Sequence, residues 1–372
     1  MGTAYIVYIF TLLLMISASY SYRRYLGSKA NGHVNQSYIM LPIFAVIIVS
    51  VIMGLRDNVG TDWENYKYIF ESYSPQYLYT VTGVMSSERI EPLYSLLNYL
   101  VASFGGSYQL LLAIIMGAHL VILFLACRTF PRYSILIVYF YFMVLFLSTL
   151  NIHRQTLAIC IFLFALHYLL KNQIGKYYVA CIIACLFHYS SVIVLLVPIL
   201  ASKAFRFMDN KYICLCLYVA GFFLGQFLMD LIISYIPLLT DNAKYNSTIK
   251  NLEHAHEYSS GLGMLFYKVL DILLILNIQK FVKNGVGIYS RTFVAGVVLA
   301  NAFANSMFLA RVALPFTSIK IFLLSFLLND YLSDKKLTVR KCFAIMIILV
   351  AFLGFMMNIA NHNSDCSPFQ FI

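Results

Sequence analysis

The sequence predicts an all-α polytopic membrane protein. Of its 372 residues, 61% are hydrophobic and 11% are charged, whereas about 25% of the residues of a soluble domain are charged. Many apolar runs are long enough to cross a bilayer as helices. Basic residues concentrate in the short links between these runs, which is typical of membrane topology signals.

We predict full spans together with re-entrant or broken helices, which gives about 10 to 12 transmembrane helices. The first run lacks a preceding basic stretch and a small-residue cleavage pattern, so we expect it to be a retained span. The predicted full spans are 4–20, 38–55, 107–127, 134–150, 155–170, 212–236, 263–280, 288–306, 311–330 and 342–360.

Net charge and cysteine content exclude several function classes. The formal charge is +11, but the cations lie in links and do not line one helix face, so membrane topology explains them and nucleic acid is not an expected partner. Seven of the eight cysteines fall in or beside apolar runs. Their spacing fits neither a disulfide framework nor a zinc site, so we expect no metal and no cofactor.

Basic links set the predicted orientation, because such links remain in the cytoplasm. The loops 56–90 and 237–262 are then outward-facing, both termini are periplasmic, and residues 1–372 form a single integral membrane domain. The cytoplasmic links contain Arg23, Arg24 and Lys29; Arg128 and Arg132; Lys171 and Lys176; Lys203, Arg206 and Lys211; Lys280 and Lys283; and Lys335, Lys336, Arg340 and Lys341.

This orientation requires two apolar pieces that enter the membrane without crossing it. Residues 92–104 begin with Pro92, which suits the first turn of a helix, and reach only about 20 Å. Residues 177–201 carry polar residues at their centre, so we predict two half-helices that meet at His188. Such a break is tolerated only against protein or a water-filled cavity. One continuous span over 177–201 is the alternative.

Residues 54–70 bring many polar side chains directly after an apolar run. Thr61 and Glu64 match a capping box, which predicts a short helix that starts there. Asp62 would lie in its first turn, on the same face as Tyr66. Asp62 is either a proton acceptor or only a carboxylate that stabilises the helix start.

Three arginines stand at predicted outer ends of spans, against the topological bias: Arg56, Arg154 and Arg311. Cations near the hydrocarbon region are costly, and the planar guanidinium suits phosphate oxygens. The three together predict an anionic ligand, most simply a lipid phosphate. A snorkelling role at the interface is the alternative for Arg56.

The candidate proton acceptors near these arginines are Asp62, Glu91 and His188, each of a type that can take a proton from a hydroxyl. His188 is alternatively a core histidine, and Glu91 alternatively starts the helix at Pro92. Lys268 and Asp271 are expected to neutralise each other. A metal site is not expected at Glu253, His254, His256 and Glu257.

The order of several short blocks resembles the EpsG family of bacterial membrane proteins, within the wider group of Wzy-type polysaccharide and O-antigen polymerases. In two places this chain has phenylalanine where the family often has tyrosine, at Phe316 and Phe369. The blocks are GLRDNVGTDWENY (54–66), EPLYSLLNYL (91–100), Asn151 with Arg154 and Gln155, FHYSS (187–191), Arg311 with Phe316, and Pro368–Phe369.

The resemblance implies a GT-C-like glycosyltransferase in the bacterial cytoplasmic membrane, with its active site facing the periplasm. It implies a metal-independent, inverting transfer of glycan from undecaprenyl pyrophosphate to an incoming lipid-linked repeat unit. The R-x10-G motif of some other O-antigen polymerases is not visible, so their mechanism is not transferred. A lipid-linked oligosaccharide flippase and an O-antigen ligase remain as alternatives.

The residues that match the family blocks form the predicted site. The expected partners are lipid-linked oligosaccharide donor and acceptor, membrane lipids and a chain-length regulator protein. The predicted catalytic residues are Asp62, His188 and Glu91, and the predicted substrate-binding residues are Arg56, Arg154, Arg311, Tyr66, Asn151 and Gln155.

Overall fold

The computed structural model describes residues 2–32, 35–73, 90–239, 262–304, 307–333 and 336–372. These residues form helices joined by short links, which confirms the predicted all-α membrane fold. The helices are α1 Gly2–Ala30, α2 Ser37–Gly54, α3 Trp63–Ser72, α4 Pro92–Ser103, α5 Tyr108–Thr129, α6 Ser134–Tyr141, α7 Leu147–Asn151, α8 His153–Leu170, α9 Ile174–Phe187, α10 Val197–Leu200, α11 Lys211–Leu239, α12 Leu262–Leu276, α13 Ile278–Lys283, α14 Gly287–Ala302, α15 Met307–Thr317, α16 Lys320–Leu332 and α17 Val339–Ala360.

Seven helical segments of the described chain are long and apolar enough to cross a membrane, or up to eight if one bent pair is counted as a span. A turn of π-helix, Phe142–Phe146, joins α6 to α7 within one of these segments. Helices α11, α12 and α14 lie within or across the predicted spans 212–236, 263–280 and 288–306 but do not belong to the seven. The seven are Gly2–Ala30, Ser37–Gly54, Tyr108–Thr129, Pro131–Asn151, His153–Leu170, Ala310–Leu332 and Val339–Ala360.

Two helix boundaries lie where the sequence predicts them, at Pro92 and at His188. Helix α4 begins at Pro92, and α9 ends at Phe187, directly before His188. A 3₁₀ stretch follows over Tyr189–Leu196. The chain then bends by 92° between Tyr189–Leu200 and Lys203–Asp209. The helix is therefore broken at His188, as predicted. The segment that follows begins as a 3₁₀ helix and becomes α-helical at Val197.

The described chain folds as two compact units. The first comprises 1–167, 179–189 and 324–372, and the second comprises 168–178 and 190–323. In the first unit, α2 and α5 approach closely at Gly54, where a Cβ atom would lie 2.6 Å from the Cβ of Ala113. Small residues permit such close helix approach in membranes, and this packing fixes the end of α2.

In the second unit, charged side chains pair between helices. Arg291 of α14 binds Asp209 through two nitrogens, at 2.7 and 2.6 Å. Lys268 and Asp271 interact electrostatically, as predicted, but each has its hydrogen-bond partner on another helix. Asp271 accepts a hydrogen bond from Lys320 at 2.9 Å, and Lys268 donates to Asn301. Packing of α12 against α14 and α16 therefore places Asn301 beside Lys268 and Lys320 beside Asp271.

Residues 363–372, here called the C-terminal strap, follow α17 and return to the link between α2 and α3. Four main-chain hydrogen bonds join the strap to this link: Asp57 N to Gln370 O at 2.9 Å, Gly60 N to Asp365 O at 2.9 Å, Thr61 N to Ser364 O at 3.2 Å, and Ile372 N to Leu55 O at 3.2 Å. They satisfy amide groups that no helix satisfies.

Candidate functional site

The link between α2 and α3 is anchored from inside by Arg56, whose side chain is only 2% exposed. Its guanidinium donates from Nη1 to Met53 O at 2.8 Å and from Nη2 to Leu150 O at 3.3 Å. Burial lowers the pKa of Arg56 below its ordinary value. In this conformation Arg56 fastens the link to the end of α7 and is not open to solvent.

Gly60 lets the link lie directly on α7. Its φ is +106°, and a Cβ atom there would lie 2.5 Å from the carbonyl oxygen of Leu150. A side chain is therefore excluded by sterics, and the backbone conformation itself favours glycine. One residue further along α7, Asn151 Oδ1 accepts a hydrogen bond from Asp62 N at 2.9 Å.

The predicted capping box is wrong. Helix α3 starts at Trp63, its N-cap residue is Asp62, and no side chain of the cap hydrogen bonds to the first turn. Asn151, from another helix, accepts the N–H of this N-cap residue, and the first turn of α3 receives no side-chain cap. Among the described residues, the half-buried Asp62 carboxylate has no hydrogen-bond partner, which leaves it available to a ligand.

Helix α3 is held by its apolar face. Trp63, Tyr66 and Phe70 recur at helical spacing and are buried against residues of α4 and α5. The hydroxyl of Tyr108 also donates to Trp63 O at 3.2 Å. This packing fixes the direction in which Tyr66 projects.

Glu91 is the centre of the site. Its Oε2 lies 2.5 Å from Nη1 of Arg154, and its Oε1 lies 2.8 Å from Nδ1 of His188. The backbone N–H of Tyr189 also points to Oε1, at 3.4 Å. The Glu91 side chain is 5% exposed, whereas those of Arg154 and His188 are 21% and 22% exposed. The carboxylate is thus buried beneath two partners that reach solvent.

Electrostatics keep this carboxylate ionised. Desolvation by burial raises the pKa of Glu91, but the hydrogen bond from His188 and the charge of Arg154 outweigh it, and the pKa lies below the ordinary 4.5. An ionised Glu91 can only accept, so Nδ1 of His188 carries the hydrogen of their bond. A neutral His188 then has Nε2 as an acceptor, the tautomer that a general base requires.

Aromatic rings surround Arg154. Its guanidinium carbon lies 5.1 Å from the ring centroid of Tyr66 and 5.4 Å from that of Tyr94, distances typical of cation–π contacts. Nε of Arg154 also lies 3.4 Å from the Tyr66 hydroxyl. His153 Nε2 and the Tyr94 hydroxyl are 3.0 Å apart, and the His153 ring lies 3.8 Å from that of Tyr66.

Burial raises the pKa of the Tyr66 hydroxyl, although the nearby Arg154 opposes this shift. The phenol therefore remains protonated and serves as a hydrogen-bond donor or acceptor, not as a charged group. Together, these contacts fix Arg154 in one orientation with one face against rings and one nitrogen on Glu91.

The first unit thus brings together Asp62, Tyr66, Glu91, Asn151, Arg154 and His188. Gln155 is 2% exposed in α8. Arg311 is a half-buried residue of α15 in the second unit. Tyr94 and His153 also belong to the site, although neither was among the predicted site residues. Tyr94 lies one helical turn after Glu91, and this spacing could have indicated it.

The sequence model of the EpsG family matches residues 38–371, nearly the whole chain. The chain belongs to the EpsG family. Members of this family are Wzy-type polymerase-like proteins, so membership supports a membrane glycan-polymerase-like role for this EpsG protein. Searches of curated proteins and of solved structures found no match.

Phe316 and Phe369 stand at the two positions noted above for tyrosine in the family. Both side chains are buried, at 4% and 3% exposure. Phe369 packs edge-on against Tyr8, with ring centroids 5.5 Å apart. Packing therefore accounts for Phe369 without a hydroxyl. Within the described parts of this EpsG protein, no three His, Cys, Asp or Glu side chains lie close enough to hold a metal. Residues 253–257 lie outside those parts.

Proposed function

We propose that this EpsG-family protein polymerises polysaccharide at the periplasmic face of the cytoplasmic membrane. It transfers the growing glycan from undecaprenyl pyrophosphate to the terminal sugar hydroxyl of an incoming lipid-linked repeat unit. One observation carries this proposal: Glu91 holds a cation, Arg154, and an imidazole, His188, on its two oxygens. A base and an anion-binding group are the two components that the transfer needs.

In this mechanism His188 acts as the general base. Nε2 accepts the proton of the attacking hydroxyl, while Glu91 holds Nδ1 and stabilises the imidazolium that forms. The hydroxyl oxygen bonds to the anomeric carbon as the bond from that carbon to the diphosphate oxygen breaks. The diphosphate leaves with the electron pair, and direct displacement inverts the anomeric configuration.

Arg154 stabilises the charge that grows on the diphosphate. Its Nη1 is engaged by Glu91, and the partly exposed guanidinium has further N–H donors with which to bind phosphate oxygens. A fixed cation of this kind stabilises a leaving diphosphate without a metal ion. Arg311 is a further candidate for binding the diphosphate, and only its match to a family block supports this role.

Asp62 and Asn151 orient the acceptor sugar in this proposal. The Asp62 carboxylate has unused acceptor capacity, and Asn151 fixes the backbone that carries it. Tyr66 and Tyr94 offer aromatic faces of the kind against which sugar rings pack. Arg56 acts indirectly, because it fastens the link that carries Asp62 to Leu150.

Reconstitution of the purified full chain with a single lipid-linked repeat unit tests the proposal. A polymerase converts this substrate into a ladder of products and releases undecaprenyl pyrophosphate. Movement of the substrate across the bilayer without ladder formation would identify a flippase and reject the proposal. Transfer that occurs only after lipid A core is added would identify a ligase and reject it as well.

A further inference from the structure

A groove of about 450 Å³ lies in the first unit between α1, α2 and α6, apart from the site around Glu91. Three apolar side chains line it, one from each helix: Ile16, Leu41 and Ile135. The polar part of its lining comes from Ser17, Tyr20, Ser21, Arg24 and Tyr38. A volume of this size is within the range of small-molecule sites.

Within the described residues, the cation of this groove has no counter-ion. Arg24 forms neither an ion pair nor a hydrogen bond with the described part of the chain. Its guanidinium carbon lies 4.7 Å from the ring centroid of Tyr38 and 6.0 Å from that of Tyr20. The rings hold the guanidinium by cation–π contacts while its N–H donors remain available.

The lining changes from apolar to cationic along α1. Ile16 and Arg24 are eight residues apart, which corresponds to roughly 12 Å along a helix. The serines between them already donate elsewhere: Ser17 to Leu13 O and Ser21 to Tyr38 O, both at 2.8 Å. Their hydroxyl oxygens are therefore left as weak acceptors between an apolar end and a cationic end.

This gradient matches the chemistry of a glycerophospholipid. A phosphate would bind Arg24 bidentately, and an acyl chain would lie against the three apolar side chains. Tyrosines are typical of the headgroup level of a membrane. Two further cations, Arg23 and Lys29, lie on the same end of α1. Net positive charge at this end favours an anionic lipid over a zwitterionic one.

We propose that this groove is a specific binding site for an anionic glycerophospholipid, with the lipid phosphate on Arg24. The proposal is independent of the polymerase function, since none of its residues contacts Glu91, Arg154 or His188 in the structure. It assigns to Arg24 a ligand-binding role in addition to its contribution to positive charge at this helix end.

The neighbouring Arg23 provides a matched control, because it is exposed on the same helix and does not line the groove. The full chain, purified in detergent, is incubated with equal amounts of phosphatidylglycerol and phosphatidylcholine, and retained lipid is counted by native mass spectrometry. We expect phosphatidylglycerol to be retained in preference. Arg24→Gln should weaken its retention about fivefold or more, and Arg23→Gln should leave it unchanged.

A second variant, Leu41→Trp, fills the apolar end without altering charge, and it should also reduce retention of phosphatidylglycerol. Equal losses in Arg23→Gln and Arg24→Gln would overturn the proposal, because they would indicate only diffuse attraction to the basic surface. Equal retention of phosphatidylcholine would overturn it too. A competition arm with a polyprenyl phosphate completes the test, and displacement of phosphatidylglycerol by that lipid would assign the groove to the substrate carrier instead.

Discussion

Glu91 Oε2 lies 2.5 Å from Arg154 Nη1, although 63 residues separate the two in sequence. The pair joins the N-terminus of α4 to the first turn of α8. Because the carboxylate is nearly buried and the guanidinium is one-fifth exposed, the arrangement presents a cation to solvent while its counter-charge stays inside. This relationship is the basis of the predictions for the site.

Replacement of His188 by glutamine is expected to lower the rate of polymer formation by roughly 10²-fold or more, the usual contribution of a general base. Glutamine retains hydrogen-bonding capacity towards Glu91 but cannot take a proton. Donor binding should therefore be nearly unchanged. Rate and binding are measured separately on reconstituted protein, with Lys176→Gln, an exposed change on the preceding helix, as the control. An unaltered rate in His188→Gln would reject its role as base.

Arg56 and Arg154 should respond differently to substitution by glutamine. Arg56→Gln removes donors from two buried carbonyl oxygens, so the free energy of unfolding should fall by about 1 to 3 kcal/mol. Arg154→Gln should in addition weaken binding of the diphosphate donor, because it removes the partly exposed cation as well as the partner of the buried Glu91 carboxylate. Thermal unfolding and donor titration measure the two effects. Loss of donor binding in Arg56→Gln but not in Arg154→Gln would show that Arg56 is the ligand-binding arginine.

Glu91→Gln should destabilise the protein at neutral pH and have a smaller effect in acid. The folded protein lowers the pKa of Glu91, so its ionised form contributes stability above about pH 4.5 that is lost as the pH falls through the folded-state value. Once protonated, Glu91 resembles glutamine. The difference in Tm between wild type and Glu91→Gln should therefore be largest near pH 7 and shrink below pH 4.5. A difference that does not vary with pH would contradict this electrostatic account.

Gly60→Ala is expected to lower the free energy of unfolding by about 2 kcal/mol or more, because the site combines positive φ with a close carbonyl. Gly175→Ala is a matched control, since a Cβ atom there meets no atom within 4 Å. That change should be neutral or stabilising by up to about 1 kcal/mol. Similar Tm values for both variants would show that the link is free to move away from α7.

Sequence alone predicted the parts of this protein that depend on local signals. Apolar runs located the seven spanning helices, Pro92 marked the start of α4, and the polar centre of 177–201 marked the break at His188. Each of these features reflects a property of neighbouring residues, so no knowledge of distant contacts was needed.

The site itself depends on distant contacts, and there the sequence was less informative. The family blocks named Glu91, Arg154 and His188, but nothing in their spacing showed that Glu91 bridges the other two. The capping box failed because the N–H of Thr61, which Glu64 would have accepted, donates to Ser364 O about 300 residues away in sequence. The spacing of Lys268 and Asp271 likewise did not show that Lys320 donates a hydrogen bond to Asp271 from another helix.

The C-terminal strap is translated after the seven spanning helices of the described chain, yet it hydrogen bonds to a link that leaves the ribosome some 300 residues earlier. During synthesis the amides of Asp57, Gly60 and Thr61 have no strap to bind. We therefore expect the link to adopt its final conformation only when the strap emerges. The final form of the link that carries Asp62 would then be reached after the helices that precede the strap in the sequence have been made.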